Sequence, residues 1–295
     1  MSGSAEKRIT AAIDDVIMSM FPLAFAKMSG AGNDFVIVDH RRRLLAPAEQ
    51  PDFARKICRR KFSVGADGLI LIEDSEVADF KWQFYNADGS VAEMCGNGAR
   101  CAARFAYRSG IAGKKMRFET IAGVIKAEIL DEDETVSVLM TDPVDHQPDR
   151  IIDVDGRALT VASINTGVPH AVIFIDVETI PVKEWGREIR FHRAFQPAGT
   201  NVNFVRLLPD GGLHVRTYER GVEDETMACG TGAVAAALIA GLRQKVQPPV
   251  QVVTSGGERL AVLFDLLESG AVGNVHLQGP ARLIYEGLLT TESLL

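Results

Sequence analysis

Residues 93–105 read EMCGNGARCAARF, a cysteine followed at once by a glycine-rich turn and then by an alanine-rich segment. Residues 225–242 repeat this arrangement as ETMACGTGAVAAALIAGL, so that Cys95 and Cys229 each begin the motif C-G-x-G-A. Glycines at this place let the chain turn tightly and expose the first backbone N–H groups of a helix. The sequence therefore predicts two helices, each beginning at a cysteine.

The surroundings of the two motifs repeat as well. Residues 85–106 parallel residues 218–240, since each segment has a strand ending in Tyr, a polar loop, a Met near the Cys and then a helix. A weaker echo links GNDFVIV (32–38) with TNVNFVRL (200–207). We therefore predict two like domains joined near residues 141–150, with the active cleft between them and both helix N-termini facing it.

Short β-type runs separated by Gly, Asp-Gly and Pro dominate the rest of the chain, which favours antiparallel sheets. The predicted strands are 35–39, 69–73, 81–86, 116–120, 124–130, 136–140, 171–176, 201–208, 213–219, 250–254, 259–265 and 274–279. Lesser helices fit 49–61 and 184–194, and the nearly all-apolar helix after Cys229 is expected to be wrapped by sheet. The predicted fold class is α+β, with two pseudo-symmetric domains that each wrap a mainly antiparallel curled sheet around a central helix.

Length and charge limit the classes of function. A chain of 295 residues suits two domains, and 46% hydrophobic residues with a net charge of -7 indicate a soluble globular protein. This charge argues against a general nucleic-acid binder. The basic runs at 41–43 and 59–61 are interpreted as solvated faces, because no aromatic residues are interleaved with them.

The N-terminal 24 residues are predicted to be an extension of the first domain. They lack the apolar core of a secretory signal because Asp14 and Asp15 interrupt it, and apolar residues recur at helical spacing between 9 and 20. No apolar run in the chain reaches membrane-spanning length. We therefore expect no membrane association. The four cysteines lack a metal-binding spacing, so we expect no metal site, and they are expected to stay reduced, which fits a cytoplasmic location.

A thiol at a helix N-terminus is chemically useful. A free thiol has a pKa of about 8.5, and a helix N-terminus lowers it by about 1.5 units at most, which leaves the group poised near neutrality. Two such thiols facing one cleft suggest stereoinversion at an α-carbon without a cofactor, in which one removes a proton and the other delivers one to the opposite face. The free N–H groups of Gly96, Asn97, Gly230 and Thr231 are predicted to bind the carboxylate on which charge develops.

From about residue 25 onward, nearly the whole chain resembles the diaminopimelate epimerase family. The segments that carry the resemblance are 27–39, 61–73, 85–101, 165–172, 200–205 and 217–233. The resemblance implies a cofactor-independent isomerase of lysine and peptidoglycan precursor biosynthesis, which converts LL-2,6-diaminopimelate to meso-diaminopimelate. It also implies domains at 25–143 and 144–281, with a final strand about 282–295 returning to the first domain.

The resemblance also implies roles for particular residues. Cys95 and Cys229 look like the catalytic acid–base pair, and the stereochemistry of the substrate decides which acts as base. His170 and Glu219 look like the groups that tune the pKa of the thiols. The expected substrate-binding residues are Asn33, Asn86, Gly96, Asn97, Asn201, Glu219, Arg220, Gly230 and Thr231.

Three positions depart from the family pattern. The loop 221–228 is one residue longer than is common, so that Glu223 or Asp224 is expected to reshape the rim of the cleft. Val168 stands where many members have Asn, and Gly68 stands where some members have a substrate-facing Gln.

Other functions stay open at this point. A proline or hydroxyproline racemase shares the architecture, but it typically has His where this chain has Asn97 and an Asp shortly before its second Cys-Gly. A thiol redox or metal-binding protein that pairs Cys95 with Cys229 is a second alternative. A pyridoxal enzyme is a third alternative, although no lysine context calls for one. The expected partners are a small-molecule substrate and a second copy of the chain in a homodimer, without nucleic acid.

Overall fold

A computed structural model describes residues 21–92, 94–130, 134–175, 180–267 and 270–295 of the chain. The amphipathic helix predicted between residues 9 and 20 lies outside these ranges. Within them, no helix combines the length and the apolar character needed to cross a membrane.

The described residues form four α-helices and a larger number of strands. The helices are α1 (Gln50–Ile57), α2 (Gly96–Arg108), α3 (Val182–Arg190) and α4 (Gly230–Leu242). The strands are β1 (Leu23–Gly30), β2 (Asn33–Asp39), β3 (Gly68–Glu73), β4 (Phe80–Asn86), β5 (Lys115–Thr120), β6 (Gly123–Ile129), β7 (Thr135–Leu139), β8 (Val144–Val154), β9 (Arg157–Asn165), β10 (Pro169–Phe174), β11 (Asn201–Leu207), β12 (Leu213–Glu219), β13 (Asp224–Thr226), β14 (Val250–Thr254), β15 (Arg259–Leu266), β16 (Val272–Pro280) and β17 (Arg282–Leu289).

The chain divides into two compact units, which are described one at a time. The first contains Met1–Lys126 and Ala281–Leu295, and the second contains Ala127–Pro280. The domain limits 25–143, 144–281 and 282–295 stay a prediction.

The sheet of the first unit has the order β17–β1–β2–β3–β4–β5. Its neighbours are antiparallel except for β2 with β3 and β4 with β5, which run parallel. Every residue of β3 is buried, because α1 and α2 cover opposite faces of the sheet. Leu69 and Leu71 pack in the cluster that α1 joins through Phe53 and Ile57, whereas Ile70 lies beside the first turn of α2.

The sheet of the second unit has the order β8–β9–β10–β11–β12–β14–β15–β16–β7. The pairs β10 with β11 and β12 with β14 are parallel, and the other pairs are antiparallel. Trp185 and Ile189 of α3 complete an apolar cluster on one face of this sheet. α4 is buried at every position except Thr231 and Leu242 and packs against strands from β9 to β16, which confirms the prediction of an apolar helix wrapped by sheet.

The two units repeat one topology. In the first unit β2, β3, β4, α2 and β5 follow each other in the chain, and β10, β11, β12, α4 and β14 have the same order and the same parallel and antiparallel pairings in the second. The predicted fold of two like α+β units around central helices is therefore confirmed. The sequence similarity between 32–38 and 200–207 does not join corresponding strands of the two units. In the topology β2 corresponds to β10, and β3 corresponds to β11.

A hairpin occupies the segment predicted to join the domains. β8 and β9 pair antiparallel over residues 144–165, where no strand was predicted. Most of β8 is exposed, so its sequence lacks the alternation that a half-buried strand shows. The helices predicted at 49–61 and 184–194 are present as the shorter α1 and α3.

Candidate functional site

Cys95 stands directly before α2 and is half-buried. Its backbone is extended, with φ -146° and ψ 118°, so the chain enters the helix through a sharp turn. The sulfur accepts a hydrogen bond from the backbone N–H of Gly98 at 3.5 Å. The side chain therefore caps the helix, a position where negative charge on sulfur is favoured.

A chain of oriented amides leads away from the first turn of α2. The fully buried Arg100 donates from Nη2 to Asn97 Oδ1 at 2.7 Å, and Asn97 Nδ2 donates to Asn33 Oδ1 at 2.6 Å. Asn33 Nδ2 in turn donates to Asp67 Oδ2 at 3.1 Å. Because a guanidinium only donates and a carboxylate only accepts, both amides are fixed in orientation. The structure thus brings Asn33 and Asn97 together beside Cys95.

An ionic cluster anchors the far end of this chain. The backbone N–H of Asp34 and that of Asp67 each donate to the other residue's carboxylate, at 3.1 and 3.0 Å. Arg60 bridges the two carboxylates at 2.6 and 2.9 Å, and Lys27 Nζ lies 2.8 Å from Asp34 Oδ2. Burial alone would raise the pKa of Asp34, but the hydrogen bonds from Arg60 and Lys27 outweigh it and hold the pKa below its ordinary value.

Asn86 lies at the end of β4 and is exposed. Its Nδ2 donates to Ser90 Oγ at 2.9 Å, within the turn that follows the strand. The predicted ligand Asn86 is thus held separately from the chain formed by Asn33 and Asn97.

Cys229 takes the corresponding place before α4 and is also half-buried, with an extended backbone at φ -118° and ψ 110°. Its sulfur lies 3.4 Å from the hydroxyl oxygen of Thr231. The buried Thr166 donates from Oγ1 to the backbone carbonyl of Thr231 at 3.0 Å and so fixes the first turn of the helix. Thr231 therefore offers this thiol a hydroxyl group in addition to the predicted backbone N–H.

His170 is fully buried in the second unit, at the start of β10. Its Nδ1 lies 3.1 Å from Asn203 Nδ2. Burial, assisted by the positive charge of Arg220, lowers the pKa of His170 to about 3, so the imidazole is neutral at physiological pH. The role of His170 in tuning a thiol stays a prediction.

Three further predicted ligands meet where β11 and β12 lie side by side. Asn201 Oδ1 accepts from the backbone N–H of Arg220 at 2.8 Å, and its Nδ2 donates to Pro169 O at 3.1 Å. The Arg220 guanidinium donates to the Ala198 carbonyl at 3.0 Å. Burial raises the pKa of the Glu219 carboxyl, and the Thr226 hydroxyl beside it acts in the opposite direction.

The longer loop 221–228 forms the short strand β13, which pairs antiparallel with β12. Two of its acidic side chains are held within the unit by cations of α3. Glu223 accepts from Arg190 Nε at 3.3 Å, and Asp224 Oδ2 lies 2.6 Å from Lys183 Nζ. The extra residue is thus accommodated by an ion-paired hairpin.

The other two departures from the family pattern have local explanations. A Cβ atom at Gly68 would lie 2.7 Å from Phe84 Cε2 and 2.8 Å from the Tyr85 carbonyl, so no side chain fits there as the chain is folded. Near Val168, Asn165 Oδ1 accepts from the backbone N–H of Gly167 at 3.0 Å. Asn165 therefore closes a turn.

Cys58 and Cys101 are buried, and burial raises the pKa of each thiol to about 12. No disulfide joins any two of the four cysteines. In the described part of the chain, no group of three His, Cys, Asp or Glu side chains is placed to hold a metal ion.

Comparison with known proteins identifies the family. The profile of the family described as diaminopimelate epimerase matches residues 25–146 and 162–278. The diaminopimelate epimerase of Aquifex aeolicus is 49% identical over 282 residues, which cover 92% of this chain and 99% of the relative. The chain belongs to the diaminopimelate epimerase family. The prediction of the family and of an isomerase is thereby confirmed.

Solved structures of lower identity share the fold of this epimerase. A PhzF-family phenazine biosynthesis protein of Bacillus anthracis superposes with a TM-score of 0.72 at 16% identity, covering 90% of this chain and 98% of its own. A probable proline racemase of Agrobacterium radiobacter superposes with a TM-score of 0.68 at 14% identity, covering 91% of this chain and 93% of its own. At these identities the likeness concerns the fold alone.

Sequence reasoning missed several residues that position the predicted site of this epimerase. Arg100 and Asn203 lie within segments already singled out, but their partners Asn97 and His170 are recognisable only in the folded chain. Arg100 could have been singled out as an Arg within the alanine-rich segment that follows the C-G-x-G motif. The second Asn of the run TNVNF was the signal for Asn203.

Proposed function

We propose that this epimerase interconverts LL- and meso-2,6-diaminopimelate by a two-base proton transfer between Cys95 and Cys229. The observation that carries the proposal is the repeated placement of a half-buried cysteine, outside any disulfide, at the start of the central helix of each unit. In a member of the diaminopimelate epimerase family, two thiols that each stand directly before a central helix support acid–base chemistry on the family's substrate.

Each turnover exchanges one proton at the α-carbon. The first cysteine, as thiolate, takes the α-proton, so that the Cα–H bond breaks and an S–H bond forms. The electron pair that stays on carbon spreads into the adjacent carboxylate as enolate-like charge. The second cysteine, as thiol, gives its proton to the opposite face, where a new Cα–H bond forms. The substrate's configuration decides which of the two thiols begins.

Stabilisation of the developing charge is the demanding part of this step. The first N–H groups of α2 and α4, at Gly96, Asn97, Gly230 and Thr231, lack partners inside their helices. Donors of this kind, placed where charge develops, contribute about 3 kcal/mol each in other enzymes. We assign to them the carboxylate of the reacting centre.

The remaining polar groups are suited to bind an amino acid that carries a second pair of carboxylate and amino groups. Arg220 and Glu219 offer a cation and a partly buried carboxyl side by side, and Asn201 holds the backbone of Arg220. Asn33 and Asn86 offer amides in the first unit. We assign these five residues to the substrate's carboxylate and amino groups.

The biological setting follows from the proposed reaction. We propose that the enzyme serves lysine and peptidoglycan precursor biosynthesis in the cytoplasm. We expect it to need neither a metal nor another cofactor, and to act as a homodimer without nucleic acid or membrane partners.

The test uses fully reduced full-length protein with LL-diaminopimelate, and it follows the meso isomer by chiral separation. Cys95→Ala and Cys229→Ala each remove one proton-transfer group, so each should lose about 100-fold in rate or more. Cys58→Ala is the matched control, because its thiol is buried in the core, and it should keep the wild-type rate.

L-Proline in a parallel reaction tests the racemase alternative that shares the fold. Inversion of diaminopimelate but not of proline supports the proposal. Inversion of proline only, or full activity in either catalytic-cysteine variant, would overturn it. The redox alternative predicts instead a reversible change in free-thiol count without inversion of either substrate.

A further inference from the structure

We propose that Asn203 is a positioning residue that holds His170 in the tautomer protonated on Nε2, so that His170 serves as a neutral hydrogen-bond donor and not as a base. The inference rests on the proposed function and adds to it a defined state of His170, the residue that the family resemblance implies for tuning a thiol pKa. It rests on hydrogen bonds within the second unit.

The orientation of the Asn203 amide is fixed by two neighbours. Asn203 Nδ2 lies 3.0 Å from the backbone carbonyl of Ala171, which can only accept, so this atom must be the nitrogen. On the other side, Thr217 donates its hydroxyl to Asn203 Oδ1 at 2.9 Å. Exchanging nitrogen and oxygen would place two acceptors against each other at Ala171.

The fixed amide in turn selects the tautomer of His170. The same Asn203 Nδ2 lies 3.1 Å from His170 Nδ1, and because the amide nitrogen is a donor, Nδ1 must accept. The ring proton is therefore on Nε2. This Nε2 is buried and has no hydrogen-bond partner among the described residues. A buried donor without a partner is costly, so the site gains by supplying an acceptor when substrate binds.

Two neighbours of His170 disfavour protonation of its ring. The imidazolium form would place an Nδ1–H against the donor Nδ2 of Asn203. Arg220 is the charged group whose field reaches His170, and it opposes a second positive charge. The residues opposite His170 in the neighbouring strands, Ile164 and Asn201, are uncharged.

Asn203 also contacts the helix that begins at Cys229. A Cβ atom at Gly232 would lie 2.3 Å from Asn203 Oδ1 and 3.3 Å from Cys229 Cβ, so the amide lies directly beneath the first turn of α4. Asn203 thus joins the His170 ring to the turn that presents the Cys229 thiol, a link that none of the predicted site residues provides.

The test is a nitrogen NMR measurement of the histidine rings in full-length protein labelled with ¹⁵N-histidine, with His170 assigned by its loss in His170→Asn. We expect His170 to show the Nε2–H tautomer and no titration between pH 5 and pH 9. An Nδ1–H tautomer, or titration with a midpoint near the ordinary histidine value of about 6.5, would overturn the proposal. This readout needs no turnover, so its failure is distinguishable from failure of the proposed reaction.

A variant tests Asn203 itself. Asn203→Asp replaces the donor by an acceptor, so Nδ1 should become protonated and His170 should titrate within this pH range, and the pH profile of kcat/KM should change with it. Asn165→Asp is the matched control, since it adds the same charge near β10 while its Oδ1 keeps the bond to Gly167. His170 unchanged in Asn203→Asp, or changed equally in both variants, would overturn the role of Asn203.

Discussion

Burial separates the four cysteines into two classes at the scale of single residues. Cys58 is 3% exposed and Cys101 is fully buried, whereas Cys95 and Cys229 are half-buried at helix starts. Alkylation requires the thiolate and access to it. Because burial raises the pKa of Cys58 and Cys101 to about 12, both are protonated and inaccessible in the native protein at neutral pH.

We therefore expect iodoacetamide to modify Cys95 and Cys229 in reduced native protein while Cys58 and Cys101 stay unmodified. Peptide mass spectrometry after timed quenching measures the four rates separately. Unfolded protein in denaturant, in which all four should react alike, is the control. Equal labelling of Cys58 or Cys101 in the native state would contradict the assignment of two classes.

Gly232 is a residue at which even a methyl group is too large. An alanine Cβ there would lie 2.3 Å from Asn203 Oδ1 and 3.2 Å from Thr217 Oγ1, both buried groups. We expect Gly232→Ala to lower the free energy of unfolding by about 1–3 kcal/mol, because overpacking displaces the amide. It should also lower activity, because the displaced Asn203 amide would no longer hold the His170 ring in place.

Gly98 occupies the same position of α2 and is the matched control. A Cβ atom there would meet Ile70 Cδ1 at 3.4 Å, an ordinary contact. Urea denaturation compares the two variants. A Gly232→Ala protein as stable as Gly98→Ala would show that the turn above Asn203 adapts freely.

At the scale of elements, the ion pair between β1 and β2 tests the contribution of electrostatics to stability. The Lys27 and Asp34 side chains, 8% and 22% exposed, bring β1 and β2 together beside the carboxylate of Asp67. Asp34→Asn leaves a buried cation without its counter-charge, so we expect a loss of about 3 kcal/mol in the free energy of unfolding at pH 7. Asp39→Asn, which breaks an exposed pair with Arg41, should cost about 1 kcal/mol or less.

The pH dependence of this loss has a defined sign. The pKa of Asp34 is lowered in the folded state, so its stabilisation is complete above the unfolded value of about 3.9 and disappears as the pH falls through the lower folded value. The difference in unfolding free energy between wild type and Asp34→Asn should therefore shrink on acidification below pH 4. A difference that stays constant down to pH 2 would contradict this account.

Elements with strong local signals were predictable from the sequence, and elements defined by distant contacts were not. α2 and α4 follow from the C-G-x-G-A motifs, in which the glycine turn and the alanine run lie within a dozen residues. The hairpin β8/β9 has an exposed edge strand and little alternation, so periodicity does not show it. The link from Asn203 to His170 spans 33 positions and exists only once β10 and β11 lie side by side.

At the scale of the whole molecule the homodimer stays a prediction, and the exposed edge strand β17 offers a surface for it. In the described residues β17 pairs with β1 on one side. Ile284 and Leu288 are 54% and 63% exposed, which is unusual for an edge strand that meets only water. A second copy that pairs antiparallel about Ile284 would place Arg282 opposite Glu286 twice, so charge and register are complementary in a homodimer.

Ile284→Lys places like charges at the centre of this pairing, so we expect it to shift the protein from dimer to monomer in sedimentation experiments. Ile151→Lys is the matched control, because Ile151 is 74% exposed on β8, an edge strand of the second unit. A dimer that survives Ile284→Lys, or one that dissociates equally in Ile151→Lys, would place the interface elsewhere.

The central proposal, a two-base proton transfer by Cys95 and Cys229 at one α-carbon, is tested most directly by early turnover in D₂O. With LL-diaminopimelate as substrate, a two-base enzyme delivers deuterium from solvent to the meso product, while the remaining LL substrate keeps its protium. Mass spectrometry and proton NMR at a few per cent conversion measure both isomers. We expect one deuterium in the meso product and none in the recovered substrate. Deuterium entering the recovered LL substrate as fast as the product, or meso product that retains the original proton, would contradict the two-thiol account.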